Sequence, residues 1–114
     1  MSENNLGWIV INEFGGSKTC VDPSSIESNG PLIRARVRYV LNPPGTDTRT
    51  GRPVNEMIMY EEYNTGTNLF CLHAIQFIYT DGSSSDPLST ERTWTKATGG
   101  NLKTLEFLSQ FAKN

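Results

Sequence analysis

The chain has 114 residues, with ten basic and twelve acidic side chains and a formal net charge of -2. That length fits one domain with one core, and so balanced a charge provides no global field to draw in nucleic acid or an anionic membrane. No apolar stretch approaches the ~18 residues of a membrane helix, so no transmembrane segment is expected.

Hydrophobic residues make up 36% of the chain and fall in short periodic runs, which argues for a folded sheet rather than disorder. The start, MSENNLGW, lacks the basic and apolar leader of a secretory signal, and residues 1–5 are expected to be disordered. Leu6 to Asn12 is an apolar, β-branched run that reads as a strand. Gly15-Gly16 marks a tight hairpin, returning through Lys18 to Asp22. Asp22-Pro23-Ser24-Ser25 is a turn with a mechanism: Pro23 fixes φ at the second position, and Asp22 can accept from the backbone two residues on. Ile26 is a lone apolar residue expected to plug under the sheet.

The clearest alternation runs from Leu32 to Leu41. Ile33, Ala35, Val37, Tyr39 and Leu41 share one face, and Arg34, Arg36 and Arg38 share the other. Residues 43–53, opening with Pro43-Pro44-Gly45, read as a long polar, mobile loop. Asn55 to Tyr63 reads as a strand after Pro53, turning at Asn64-Thr65-Gly66-Thr67 into a central strand over Asn68 to Thr80. Ser89 to Ala97 alternates again with Trp94 as its anchor. From 101 to 113 the period becomes helical: Leu102, Leu105, Leu108 and Ala112 recur, Phe107 and Phe111 widen the stripe, and Asn101 or Gly100 serves as N-cap. The fold class is therefore α+β, an antiparallel sheet of about six strands carrying one C-terminal helix, in a single domain over residues 1–114.

Several of these segments resemble the surface-adhesin protein E family of bacterial exported proteins. The resemblance rests on the Trp8-Ile9 strand, the Val21-Asp22-Pro23-Ser24-Ser25-Ile26 turn and the strand after Gly30. It continues through the Cys71 strand, the Tyr79-Asp81-Gly82 turn, the Trp94 strand and the terminal helix. It implies an exported cell-envelope protein, often a lipoprotein, with adhesin-like binding of a host or envelope protein and a homodimer through a sheet edge. Family members commonly bridge the cysteine equivalent to Cys71 to one near the end of the helix. Ser109 to Ala112 contains no cysteine, so that bridge is absent here. Cys20 and Cys71 are left either as a substitute bridge, if their strands are neighbours, or as two free thiols.

The candidate partner-binding surface is the stripe Arg34, Arg36 and Arg38, which suits an acidic partner. The competing reading pairs these arginines with Glu56, Glu61 and Glu62 across the sheet. Adjacent Glu61 and Glu62 point to opposite faces and cannot act as an acid-base pair. Asp47, Asp81 and Asp86 read as solvated turn formers. Trp8, Trp94, Tyr39, Tyr60, Tyr63 and Tyr79 are assigned to packing, unless some lie exposed beside the arginines. A small Cys/His-dependent enzyme using Cys71 and His73, which share a strand face, is one alternative function, and a structural envelope component is the other. The two cysteines, far apart in sequence, make neither a disulfide-rich scaffold nor a zinc pattern. No catalytic, metal or cofactor site is assigned.

Overall fold

Alternation along the chain becomes one antiparallel sheet. The computed structural model describes residues 7–111, and among these the strands are β1 (Ile9–Phe14), β2 (Ser17–Val21), β3 (Glu27–Asn29), β4 (Leu32–Asp47), β5 (Arg52–Asn64), β6 (Leu69–Tyr79), β7 (Leu88–Ser89) and β8 (Thr95–Lys96). The helix α1 (Gly100–Ser109) follows. Neighbours run β1-β2-β4-β5-β6-β7, with β3 beside β4 and β8 beside β6. The α+β architecture expected from the sequence is the one observed. The disorder expected for residues 1–5 lies outside the described residues, as does the helix end expected at 113.

Strand β4 sets the two faces. Ile33, Ala35 and Val37 are buried in one cluster with Val21, Tyr63, Leu105 and Leu108, so this inner face of the sheet carries the helix. Ile26 packs against the same cluster, as the sequence suggested. The β1–β2 hairpin turns at Gly15 and Gly16, both with positive φ (60° and 89°), the mirror-image turn that suits strand twist. A side chain at Gly16 would also collide with the Asn42 amide at 2.6 Å.

The Asp22–Ser25 turn holds β2 and β3 on the same edge of β4. The Ser24 N–H and hydroxyl both donate to Asp22 Oδ1, at 3.0 and 2.6 Å. The Asp22 N–H donates to the Arg36 carbonyl at 3.1 Å. Where the ladder then lacks a backbone acceptor, Ser25 Oγ supplies one, accepting the Arg36 N–H at 2.8 Å and donating to the Asp22 carbonyl at 2.7 Å. A short helical turn, Pro23–Ser25, thus passes over the sheet edge without orphaning a main-chain donor.

The polar segment 43–53 is not a long loop. β4 continues to Asp47 and β5 begins at Arg52, paired as Gly45↔Val54, Thr46↔Pro53 and Asp47↔Arg52 after an irregularity between Val40 and Gly45. Asp47 is the cause. Its carbonyl accepts from the Thr50 and Gly51 N–H groups at 3.1 and 2.7 Å. Its carboxylate, only 1% exposed, accepts the Arg49 N–H at 3.0 Å, the Arg49 guanidinium at 2.8 Å and the Tyr79 hydroxyl at 2.7 Å. Asp47 is therefore a buried organiser of the hairpin rather than a solvated turn residue.

Two further expectations change. Ser89 to Ala97 is not a continuous strand, because β6 carries an extra residue at His73 between Leu72, opposite Glu61, and Ala74, opposite Tyr60. The outer partner of β6 accordingly breaks into β7, on Ala74 and Ile75, and β8, on Leu69 and Phe70. Trp94 between them is partly exposed, and Ala97 is the buried anchor. On α1, Leu105 and Leu108 are buried and Phe107 packs on the core, but Leu102 and Phe111 face solvent. Thr104 takes the remaining inward place, its hydroxyl donating to the Gly100 carbonyl at 3.2 Å. The N-cap is Gly99, with φ of 55° and no side-chain cap.

Ser25→Ala should lower stability by about 1–2 kcal/mol, since it leaves the Arg36 N–H without its acceptor. Urea unfolding with an unchanged slope and a lower midpoint is the expected readout. An unchanged midpoint would mean that the hydroxyl does not complete the ladder.

Candidate functional site: the arginine face of the sheet

The face turned away from α1 carries the arginine stripe. Register places Arg34 opposite Glu62, Arg36 opposite Tyr60 and Arg38 opposite Ile58. The three guanidiniums are held very differently. Arg38 forms a forked pair with Glu56, Nε to Oε1 and Nη2 to Oε2 both at 2.8 Å, and its side chain is 14% exposed. Arg36 donates to Asp22 Oδ2 at 2.7 Å. Arg34 meets Glu27 only at 3.8 Å, with both side chains largely in solvent, a contact of little energetic consequence. Among the expected partners, only Glu56 pairs with the stripe. Glu62 lies 2.7 Å from His73 Nε2, and Glu61 is on the other face.

Trp8 joins the stripe from the N-terminal side of β1. Its ring lies under Arg36 and Arg38, 5.2 and 5.7 Å from their guanidinium carbons, within cation–π range. Tyr60, next to Arg36 in register, lines an open cleft of about 510 Å³ that crosses the face from β3 to the segment between β7 and β8. Ser25, Arg34, Arg36 and His73 line it, and Arg92 closes the far side. The sequence singled out the arginines but missed Asp22 and Arg92 as their companions. Asp22 comes from the turn that docks on β4, so its partnership follows only from strand order. Tyr63 and Tyr79 are buried and Tyr39 packs against the core, whereas Trp8 and Tyr60 lie beside the arginines but are half-buried rather than exposed.

Chemistry on the inner face is of a different kind. Glu61 is 1% exposed, and its two oxygens accept from the Tyr39 and Tyr63 hydroxyls, each at 2.6 Å. Asn101 Nδ2 on α1 donates to the Tyr63 oxygen at 3.3 Å. Burial pushes the Glu61 carboxyl up from its ordinary value, and the two tyrosine hydrogen bonds only partly offset that. Asp22 goes the other way. Desolvation acts to raise it, but the Ser24 hydroxyl, the Arg36 guanidinium and the Ser24 N–H together hold it below the usual carboxylate range.

The cysteines are separate and free. Cys20 on β2 and Cys71 on β6 have β4 and β5 between them, so the three strand spacings alone put them at least ~14 Å apart, well beyond the ~7 Å Cα limit for a bridge. A Cys20–Cys71 disulfide is excluded. Cys71 and His73 do not form a nucleophile pair either. The imidazole is taken by Glu62, and the thiol's contact is a long one, 4.0 Å to the Leu72 carbonyl. Burial, and then the charge of Glu62, push the Cys71 thiol up, away from the reactive thiolate. Among the described residues no group of three or more His, Cys, Asp or Glu side chains is placed to hold a metal ion. No helix among them is long and apolar enough to cross a membrane.

No family model matches the sequence, and no curated protein matches it. The fold, however, has a counterpart among solved structures. The chain is similar in fold to protein E. That crystal structure, from non-typeable Haemophilus influenzae, aligns over 91% of this chain and 73% of the other, with a TM-score of 0.57 and 14% sequence identity. At that identity the likeness is one of architecture, between two very different sequences.

Between the ordinary carboxylate range and the raised value of Glu61, the folded state binds more protons than the unfolded one, so this group makes stability fall as pH rises. Glu61→Gln should flatten that decline in urea unfolding series run from pH 5 to 8. Tyr39→Phe, which removes one donor to the carboxylate, should steepen it and cost about 1.5–3 kcal/mol at pH 8. For the thiols, iodoacetamide should label neither in the native protein and both in urea without reductant, read by mass. A single adduct or none in urea would contradict two free cysteines.

Proposed function

We propose that this chain is a non-enzymatic, exported protein of the bacterial cell envelope that binds a protein partner through the arginine face of its sheet. The observation that carries the reading is the grouping of Tyr60, Arg34 and Arg36 around an open cleft on the face away from the helix, with the Trp8 ring packed against Arg36. Aromatic and arginine side chains together are the residue types that dominate protein recognition energies. Arg38, locked to Glu56, frames the surface rather than contacting a partner. The envelope location is supported by the resemblance to the protein E family and by the similarity in fold to protein E itself. Strand β1 is the open side of the sheet and presents Ile9, Val10 and an 85% exposed Phe14. A second copy pairing edge to edge would add there.

Cells displaying the chain should bind one or more proteins in a panel of immobilised matrix and serum proteins. Binding should weaken as salt rises, and Arg34→Gln with Arg36→Gln should reduce it at least tenfold while circular dichroism stays unchanged. Fractionation of the native bacterium should recover the protein with the envelope. Binding indifferent to both salt and the arginine substitutions would remove this face from the reading, and recovery in the cytosol would remove the export.

A further inference from the structure

Two arginines line the cleft from opposite sides, and their guanidiniums are not consumed by the fold. Arg34 stands on β4, and among the described residues its one ion-pair contact is with an exposed Glu27 at 3.8 Å. Arg92 lies beyond β6, on the segment between β7 and β8, and among the described residues it has no ion-pair partner. Between them lie the phenol of Tyr60 and the small residues Ala74 and Ser89, which leave the floor shallow and open. Two other polar groups around it are already matched: Arg36 to Asp22, and the His73 imidazole to Glu62.

We infer that this cleft seats an acidic peptide segment of the partner, laid across the strands with one carboxylate on Arg34 and a second on Arg92. The inference rests on the protein-binding reading and narrows it to a chemical class. Three strand spacings separate the β4 line from the β7 line, roughly 14 Å. Extended chain rises about 3.3 Å per residue, so acidic residues at positions i and i+4 match the span. The planar fork of each arginine can take a carboxylate through two parallel hydrogen bonds, and the Tyr60 ring offers a flat surface for the intervening residues. At about 510 Å³ the cleft falls within the size range of pockets that hold small ligands, enough for a short segment and not for a folded partner. Glu27 acts as the resident carboxylate: the ligand's first acid replaces it on Arg34.

The test is a titration of the isotope-labelled chain, followed by amide NMR, with acetyl-Glu-Ala-Ala-Ala-Glu-amide and with its Gln-Ala-Ala-Ala-Gln twin. Shifts should concentrate at Arg34, Tyr60, His73 and Arg92, and the Glu peptide should bind at least tenfold more tightly than the Gln peptide. Arg92→Gln should weaken it at least fivefold, Glu27→Gln should tighten it, and Lys96→Gln, an exposed cation on β8 outside the cleft lining, should change it less than twofold. Equal binding of the two peptides, or loss of binding with Lys96→Gln as large as with Arg92→Gln, overturns the inference. So does a heparin-derived oligosaccharide that shifts the cleft residues when the Glu peptide does not. Capture of a partner from the protein panel by a chain whose cleft ignores the Glu peptide would sink this inference while leaving the protein-binding reading intact.

Discussion

The two-residue alternation of Leu32 to Val40 is the constraint to which the rest of the molecule answers. With Ile33, Ala35 and Val37 turned toward Leu105 and Leu108, the arginines between them must face the other way. A slip of one residue would press three guanidiniums into an apolar layer, so the register of β4 is fixed by the large cost of every alternative. Register then distributes the neighbours. It sets Tyr63 beside Ile33 in the core, Tyr60 beside Arg36 outside, and Glu61 inside opposite Ala35. Core and candidate binding face are two products of one pattern.

The same sheet shows how the donors around a carboxylate decide its character. Asp22 and Asp47 each receive a guanidinium, a hydroxyl and a backbone N–H. For both, desolvation is outweighed and the acid is held below its ordinary range. Glu61 receives hydroxyls alone, and burial dominates. Both kinds of site tie distant segments together. Asp47 joins the far end of the long hairpin to β6, and Glu61 joins β4 and β5 to a helix residue through Tyr63 and Asn101.

Much of this was legible in the chain because it is encoded locally. Alternation in β4, the Gly15-Gly16 turn, the Asp-Pro-Ser-Ser motif and the helical leucines all specify their structures within a few residues. The long β4–β5 hairpin was not legible, since 43–53 is polar throughout and its order depends on Asp47 reaching Tyr79, 32 residues away. Trp94 misled because a large side chain suggests an anchor, whereas the extra residue at His73 leaves no continuous strand for it to anchor. At the candidate binding face the arginines could be read from their spacing. Asp22 and Arg92 could not, because both arrive by strand order. The error over Glu61 was avoidable: adjacent acids on a strand face opposite ways, so Glu61 and Glu62 could never both serve the stripe.

Two isolated, buried thiols on strands that never touch give the folded domain an unusual indifference to redox potential. A reducing compartment finds no cross-link to cut, and an oxidising one finds no exposed sulfur to capture. The fold is held by non-covalent contacts, so neither environment alters its covalent frame, and no oxidase is needed to complete it.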